Sequence, residues 1–348
     1  MQTSQWHCVT LPDQPAVLNV GYGHVVGQSE APSRFGLGCV TLGNKERAGV
    51  RLVHQALDLG VGVFDTSDAY GAGSSERVLG RALRGRREEA IVATKAGYLF
   101  RERPAIESLA RRLARPVLSA ARPLGQRGLS PSGAGVPSAY AAQDFSATYL
   151  RSALEGSLRR LGTEHVDIYQ LHGPRMVADD EVLALMHDLV VEGKIRWFGV
   201  GLESLDHAVA WLGTGALSSI QIPFGVLDPD ARDVVIPQAV TRGVPVIARG
   251  VFAGGHVARP SDHSASRLRP GQAERLAAVA ELASAHGVDP MQVAAWFVTA
   301  HDGVSTVLVG ASSSQHLRDA VRYMATPSPP ELIPRLEALC AVGHKAPP

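Results

Sequence analysis

Eight short, nearly continuous apolar runs recur along this chain, and no other feature constrains its fold more: FGLGCVTL, VGVFDTS, AIVATKA, HVDIYQLH, WFGVGL, SIQIPF, VPVIAR and VSTVLVGA. Runs in which Val, Ile, Leu and Phe do not alternate with polar residues suit strands covered on both faces, as parallel strands are. Between them lie helix-length segments with apolar residues at a 3.6-residue period, at 48–59, 75–83, 149–161, 180–191 and 273–286. Strand and helix therefore alternate, and 348 residues with 45% apolar and 19% charged side chains can bury a sizeable core. Alternation of this kind closes into a barrel or lies open as a doubly wound sheet. An open dinucleotide-binding sheet carries G-x-G-x-x-G directly after its first strand. Here Gly21, Gly23 and Gly27 have the wrong spacing, and Gly71 and Gly73 lead to Glu76 where the third glycine belongs. Both clusters read as turns, and the fold class expected is α/β, an eight-stranded parallel (β/α)8 TIM barrel.

One segment breaks the rhythm. Residues 97–145 separate the third strand from its helix by far more than such loops usually span, so a long loop insert after strand 3 is expected. It carries Pro104, Pro116, Pro123, Pro131 and Pro137 around LSPSGAGVPS, with a short helix expected over 106–118. Because the insert follows strand 3 at the barrel mouth, it is expected to act as a lid that brings Tyr98, Phe100, Arg101 and Arg103 near the substrate. The organisation expected is an N-terminal extension over 1–34, a hairpin across the other mouth, followed by one barrel domain over 35–348.

Net charge is +1 and the basic residues form no stripe, so no nucleic acid partner is expected. No apolar run approaches the length of a membrane span, and the N-terminus has neither a basic region nor an apolar one, so neither membrane nor secretion is expected. Cys8, Cys39 and Cys340 are scattered and odd in number, which fits a reduced, cytoplasmic compartment. The histidines show no spacing typical of a metal site, so no metal is expected.

Chemistry in such barrels sits where the C-terminal ends of strands meet their loops. The second run ends in FDTSDAYG, the third in VATKAG and the fourth in VDIYQLHGP. Taken singly, Asp65 reads as a helix cap, Tyr70 as a loop anchor and His172 as a structural histidine. Lys95 is harder to dismiss, because an ammonium ending an apolar strand inside a barrel needs a partner. FDTSDAYG followed by SSERVLGRAL, VATKAG and VDIYQLHGP, in that order, resembles the aldo-keto reductase signature from about residue 35 to 323. By that resemblance Asp65, Tyr70, Lys95 and His172 are a catalytic tetrad. The chemistry is consistent: hydride delivery to a carbonyl builds charge on oxygen, and a phenol can meet it with a proton. Lys95 is expected to draw the Tyr70 pKa towards working pH, Asp65 to hold Lys95, and His172 to orient the carbonyl oxygen.

The resemblance implies cofactor contacts from the later strands. Gln221 is expected at the nicotinamide amide and the ring of Phe224 beneath the nicotinamide. Arg249, Gly250, Phe252 and Gly255 occupy the pyrophosphate loop after strand seven. Gly310, Ser312, Ser313, Gln315 and Arg318 open a helix whose N-terminus faces phosphate. The chain departs from the pattern at Gly201 and Leu202, where a Ser-Asn pair is usual, and at Ser312, where an arginine for the adenosine 2′-phosphate is common. Hydroxyls at Ser312 and Ser313 with the Arg318 guanidinium still suit a phosphate, so NADP(H) is favoured over NAD(H).

The function expected is NAD(P)H-dependent reduction of a small-molecule carbonyl substrate, an aldehyde, ketone or keto sugar. Two alternatives stay open: a redox-neutral elimination or epimerisation with tightly bound NADP, and a regulatory accessory subunit built on a reductase barrel. Neither the substrate nor the oligomeric state follows from these residues.

Overall fold

The computed structural model of the chain describes residues 34–99, 142–258, 268–269 and 271–341. Each apolar run holds one strand: β1 (Phe35–Gly38), β2 (Val63–Asp65), β3 (Ile91–Ala96), β4 (Val166–His172), β5 (Ile195–Gly201), β6 (Ser219–Pro223), β7 (Val246–Arg249) and β8 (Val304–Gly310). Every neighbouring pair is parallel, and β8 pairs with β1 to close the barrel. The chain is thus an eight-stranded (β/α)8 barrel, and closure leaves no strand edge unpaired in the ring.

Helices fall between the strands: α1 (Glu46–Asp58), α2 (Ser74–Ala82), α3 (Ala147–Leu161), α4 (Asp180–Val191), α5 (Leu205–Gly213), the short α6 (Ala231–Val234) and α7 (Ile236–Thr241), α8 (Gln272–His286), α9 (Pro290–Thr299), α10 (Ser314–Ala325) and α11 (Ile333–Ala338). Several begin where sequence supplies a cap. The side chains of Ser146, Asp179, Ser204 and Ser313 each accept from a backbone N–H in the first turn.

Two apolar layers result. A small cluster of Val63, Ile91, Ala93, Ile168, Trp197, Ile247 and Leu308 fills the barrel interior, and a larger one joins the outer strand faces to the helices. Side chains alternate along a strand. Asp65, Lys95 and Gln170 come two residues after the interior residues Val63, Ala93 and Ile168, so all three face inward above that plug.

The first and last residues of the long segment after β3 are paired with each other. Tyr98 bridges Gln143 in antiparallel fashion, Leu99 N–H donates to Ala142 O at 3.0 Å, and Asp144 N–H donates to Gly97 O at 2.9 Å. The expected lid and the helix over 106–118 fall within 100–141, outside the described residues, as does the expected hairpin over 1–33. Arg34 belongs to the barrel: its backbone oxygen accepts from Val307 N at 2.7 Å. Among the described residues no helix is long and apolar enough to cross a membrane, and no group of His, Cys, Asp and Glu could hold a metal ion.

Candidate active site

Lys95 is 1% exposed, and its charge is matched on the spot. Nζ lies 2.6 Å from each oxygen of Asp65 and donates to Thr66 O at 3.1 Å. The same Nζ lies 5.2 Å from the centroid of the Tyr70 ring. Tyr70 in turn meets the His172 ring edge-on, with centroids 5.8 Å apart. The four residues singled out on three separate strand ends therefore converge on one point.

Tyr70 sits in the tight turn between β2 and α2, where Gly71, Ala72 and Gly73 all take positive φ, 59°, 53° and 79°. Ala72 is the non-glycine in that run, a conformation that L residues seldom adopt. The turn is held by Tyr70 N–H donating to Ser67 O at 3.1 Å and Ser75 N–H donating to Tyr70 O at 3.3 Å.

Burial dominates the electrostatics. It pushes the Tyr70 phenol above its usual pKa of 10, while the Lys95 ammonium pulls the other way and loses. This corrects the expectation that Lys95 draws Tyr70 towards working pH: desolvation outweighs the neighbouring charge in this state. Burial pushes the Lys95 ammonium down, but Asp65 and Tyr70 together leave it above its ordinary value. Burial, then the Lys95 and Arg249 charges, holds His172 well below 6.5, so its imidazole is neutral.

The residues expected to hold the cofactor are placed unevenly. Gln221 is 2% exposed, and its Nε2 donates to Asp65 Oδ1 at 2.9 Å, so one end of that amide braces the tetrad. Phe224 is fully buried on the outer face of the strand end, tilted against Phe297 at 5.4 Å and edge-on to His301 at 5.0 Å. Packed against Phe297 and His301, the ring faces the helix layer and not the mouth where a nicotinamide is expected. Phe252 is likewise packed, edge-on to Tyr323 at 6.4 Å. In its loop Gly250 and Gly255 take φ of 80° and 94°, which glycine alone adopts without strain. Arg249 reaches from β7 across to the end of β5, donating to Leu202 O at 2.9 Å and pairing with Glu203 Oε1 at 2.6 Å. It thus occupies the place where Gly201 and Leu202 offer no polar side chain.

Beyond Gly310, the last residue of β8, the N-terminal end of α10 and the residues just before it gather the remaining candidates. Ser313 caps the helix and Ser312 Oγ lies 3.0 Å from His316 Nδ1. Arg318 donates to Gln315 Oε1 at 2.7 Å, and Gln315 donates to Asp319 at 3.0 Å. These polar groups are exposed and close together.

Of the expected lid residues Tyr98, Phe100, Arg101 and Arg103, Tyr98 alone lies among the described residues, and the other neighbours of the site were not selected from sequence. Gln143 Nε2 donates to the backbone oxygens of His172 and Gly173, at 3.1 Å each. The Tyr98 ring meets the His172 ring edge-on at 4.8 Å. Gln170 is fully buried, with neither amide atom partnered among the described residues. Ser67 and Asp68 lie buried directly behind the tetrad. A polar residue inside an apolar run, as Gln170 is in VDIYQLH, was the available signal.

Residues 34–341 match the model of the Aldo/keto reductase family. The chain is 26% identical over 301 residues to the uncharacterized oxidoreductase YqkF of Bacillus subtilis, covering 83% of this chain and 86% of that protein. It superposes on the holo form of the aldo-keto reductase AKR11C1 from Bacillus halodurans with a TM-score of 0.69 at 28% identity, covering 90% and 94% of the two chains. An aldo/keto reductase from Klebsiella pneumoniae, solved in complex with NADP and acetate, shares the fold with a TM-score of 0.64 at 22% identity, over 94% of this chain and 98% of that one.

Proposed function

Since the chain belongs to the aldo/keto reductase family and is an NAD(P)-dependent oxidoreductase, we propose that it reduces the carbonyl of a small aldehyde, ketone or keto sugar with NADPH. One observation carries the reading: a buried Lys95–Asp65 pair lies under Tyr70, with a neutral His172 against the same ring. A nicotinamide cofactor held at the mouth would supply hydride to the carbonyl carbon. Tyr70, whose proton is retained by burial, donates it to the carbonyl oxygen as charge develops there. Lys95 beside the phenol favours the phenolate that results, and Asp65 keeps Lys95 charged and in place. Neutral His172 offers an N–H that fixes the direction of the oxygen.

The residues present fit the cofactor. A Cβ at Gly201 would make only ordinary contacts, 3.4 Å from Gln221 Oε1, 3.5 Å from Gln170 Oε1 and 3.6 Å from Lys95 Cδ, and the buried Gln170 amide beside it, unpartnered among the described residues, suits a carboxamide. The N-terminus of α10 with Ser312, Ser313, Gln315 and Arg318 suits the adenosine 2′-phosphate, which favours NADP(H) over NAD(H). The Klebsiella protein of the same fold, solved with NADP, supports this reading.

The test is NADPH oxidation against a panel of carbonyl compounds, with products identified. Net consumption of one NADPH per alcohol formed is expected. A product that is an isomer or dehydration product of its substrate, formed with no net NADPH loss, would replace this reading with the redox-neutral one.

A further inference from the structure

Ser67 and Asp68 are buried and take no part in the transfers just described. Ser67 Oγ lies among four polar atoms. Ala69 N–H donates to it at 3.1 Å, Lys95 O and Asp68 Oδ1 lie 3.2 Å away, and His172 Nδ1 lies 3.1 Å away. A hydroxyl has one hydrogen to give. Lys95 O, Asp68 Oδ1 and His172 Nδ1 therefore compete for it, and the outcome determines whether Nδ1 is an acceptor or a donor. His172 Nε2, the other ring nitrogen, has no hydrogen-bond partner among the described residues, and it carries a hydrogen only when Nδ1 does not.

The competitor with variable character is Asp68. Its Oδ2 is buried and has no hydrogen-bond partner among the described residues. Glu76 faces it from α2, Tyr149 and Arg160 from α3, and Tyr169 from β4. The Arg160 charge is already engaged, since its Nε donates to Glu76 Oε2 at 2.6 Å, while Thr94 donates to the other Glu76 oxygen at 2.6 Å. Burial first, and then the Glu76 charge, push the Asp68 carboxyl up to about 8.

We propose that Ser67 is a positioning residue that decides which nitrogen of His172 carries the hydrogen, and that the proton on Asp68 decides which way Ser67 donates. With Asp68 neutral, its O–H donates to Ser67, Ser67 donates to His172 Nδ1, and Nε2–H is available for the carbonyl oxygen. With Asp68 ionised, the carboxylate takes the Ser67 hydrogen as the stronger acceptor. Nδ1–H of His172 then donates to Ser67, and Nε2 turns from donor to acceptor. No proton beyond the one lost by Asp68 leaves the set. The mechanistic consequence rests on the proposed role of His172, whereas the tautomer itself does not.

The test is therefore read first on the tautomer. The whole protein, labelled with 15N in its histidines, is titrated from pH 6.5 to 9.5 by NMR, with the His172 signals identified by their loss in His172→Gln. Nε2–H is expected at the lower end and Nδ1–H at the upper end. Asp68→Asn should hold one tautomer throughout, and Ser67→Ala should uncouple the tautomer from pH. In parallel, kcat for a carbonyl substrate should fall across the same range in the wild type and stay level in Asp68→Asn. Ser67→Ala should lower kcat by up to roughly tenfold, the worth of one hydrogen bond between neutral groups. A wild-type His172 tautomer that ignores pH, or Nδ1–H already at pH 6.5, overturns the proposal. A tautomer switch in a protein that reduces no carbonyl would leave the switch standing and remove the proposed function.

Discussion

At Tyr70 two forces act on one proton. Burial holds it on the phenol and Lys95 tends to release it, and in this structure burial prevails. A proton donor benefits from that order, because the group must still be protonated when charge appears on the substrate oxygen. Tyr70→Phe should therefore leave NADPH affinity unchanged by titration and lower kcat by about 10² or more, the range for a lost general acid. Lys95→Met leaves the Asp65 carboxylate, 4% exposed, with the Gln221 amide as its one side-chain hydrogen-bond partner among the described residues. Stranding one partner of a buried pair costs about 3–5 kcal/mol, so that variant should show a lowered Tm as well as lost turnover. His172 supplies a pH dependence whose sign follows from its depressed pKa. Below about 6.5 the unfolded chain takes up a proton at this position and the folded chain does not, so stability falls as pH falls. Tm measured between pH 7.5 and 5 should decline less steeply in His172→Gln than in the wild type.

At the level of elements, the fold was legible because each strand of a closed parallel barrel is apolar on both faces, and such runs stand out in sequence. The longer helices could be read by period, as α3 and α8 were. The short α6, α7 and α11 span too few residues to show a period, and they exist because the helix layer covers them. The convergence of Asp65, Tyr70, Lys95 and His172 was legible because they sit at or just past strand ends in a recognisable order. Phe224 was misplaced because its neighbours in sequence do not reveal which face a residue just past a strand presents. Gln143 was invisible because its contact to His172 depends on how a long segment returns to the barrel. How tightly the elements fit is clearest at Gly80, where α2 crosses α3: a Cβ there would come within 2.0 Å of Leu161 O and 2.5 Å of Leu161 C. Backbone atoms cannot swing aside, so Gly80→Ala should separate the two helices and lower stability by about 1–3 kcal/mol, read as a drop in Tm with the tetrad residues unchanged.

Over the whole molecule, closure of the ring ties the two halves of the site together. The tetrad stands on β2, β3 and β4, while the candidate phosphate groups follow β7 and β8, and β8 is hydrogen-bonded back to β1. A dinucleotide spanning that mouth binds the closed barrel and not the unfolded chain, so it must raise the stability of the fold by mass action. At a hundred times its Kd the gain is about 2.7 kcal/mol, enough to raise Tm by several degrees in a domain of this size. The two cofactors differ only at the adenosine ribose, and the groups assigned to that end are Ser312, Ser313, Gln315 and Arg318. NADPH should therefore raise Tm more than NADH does at equal concentration. Arg318 is exposed in the second turn of α10 and donates to Gln315 in the first, so Arg318→Ala should leave the fold without ligand unchanged. In that variant the NADH shift should persist and the excess given by NADPH should shrink, because the guanidinium proposed to contact the 2′-phosphate has been removed while the rest of the cradle remains. Equal shifts from the two cofactors in the wild type would show that the first turn of α10 does not read the phosphate, and a fall in both shifts in Arg318→Ala would place that residue on a part the cofactors share.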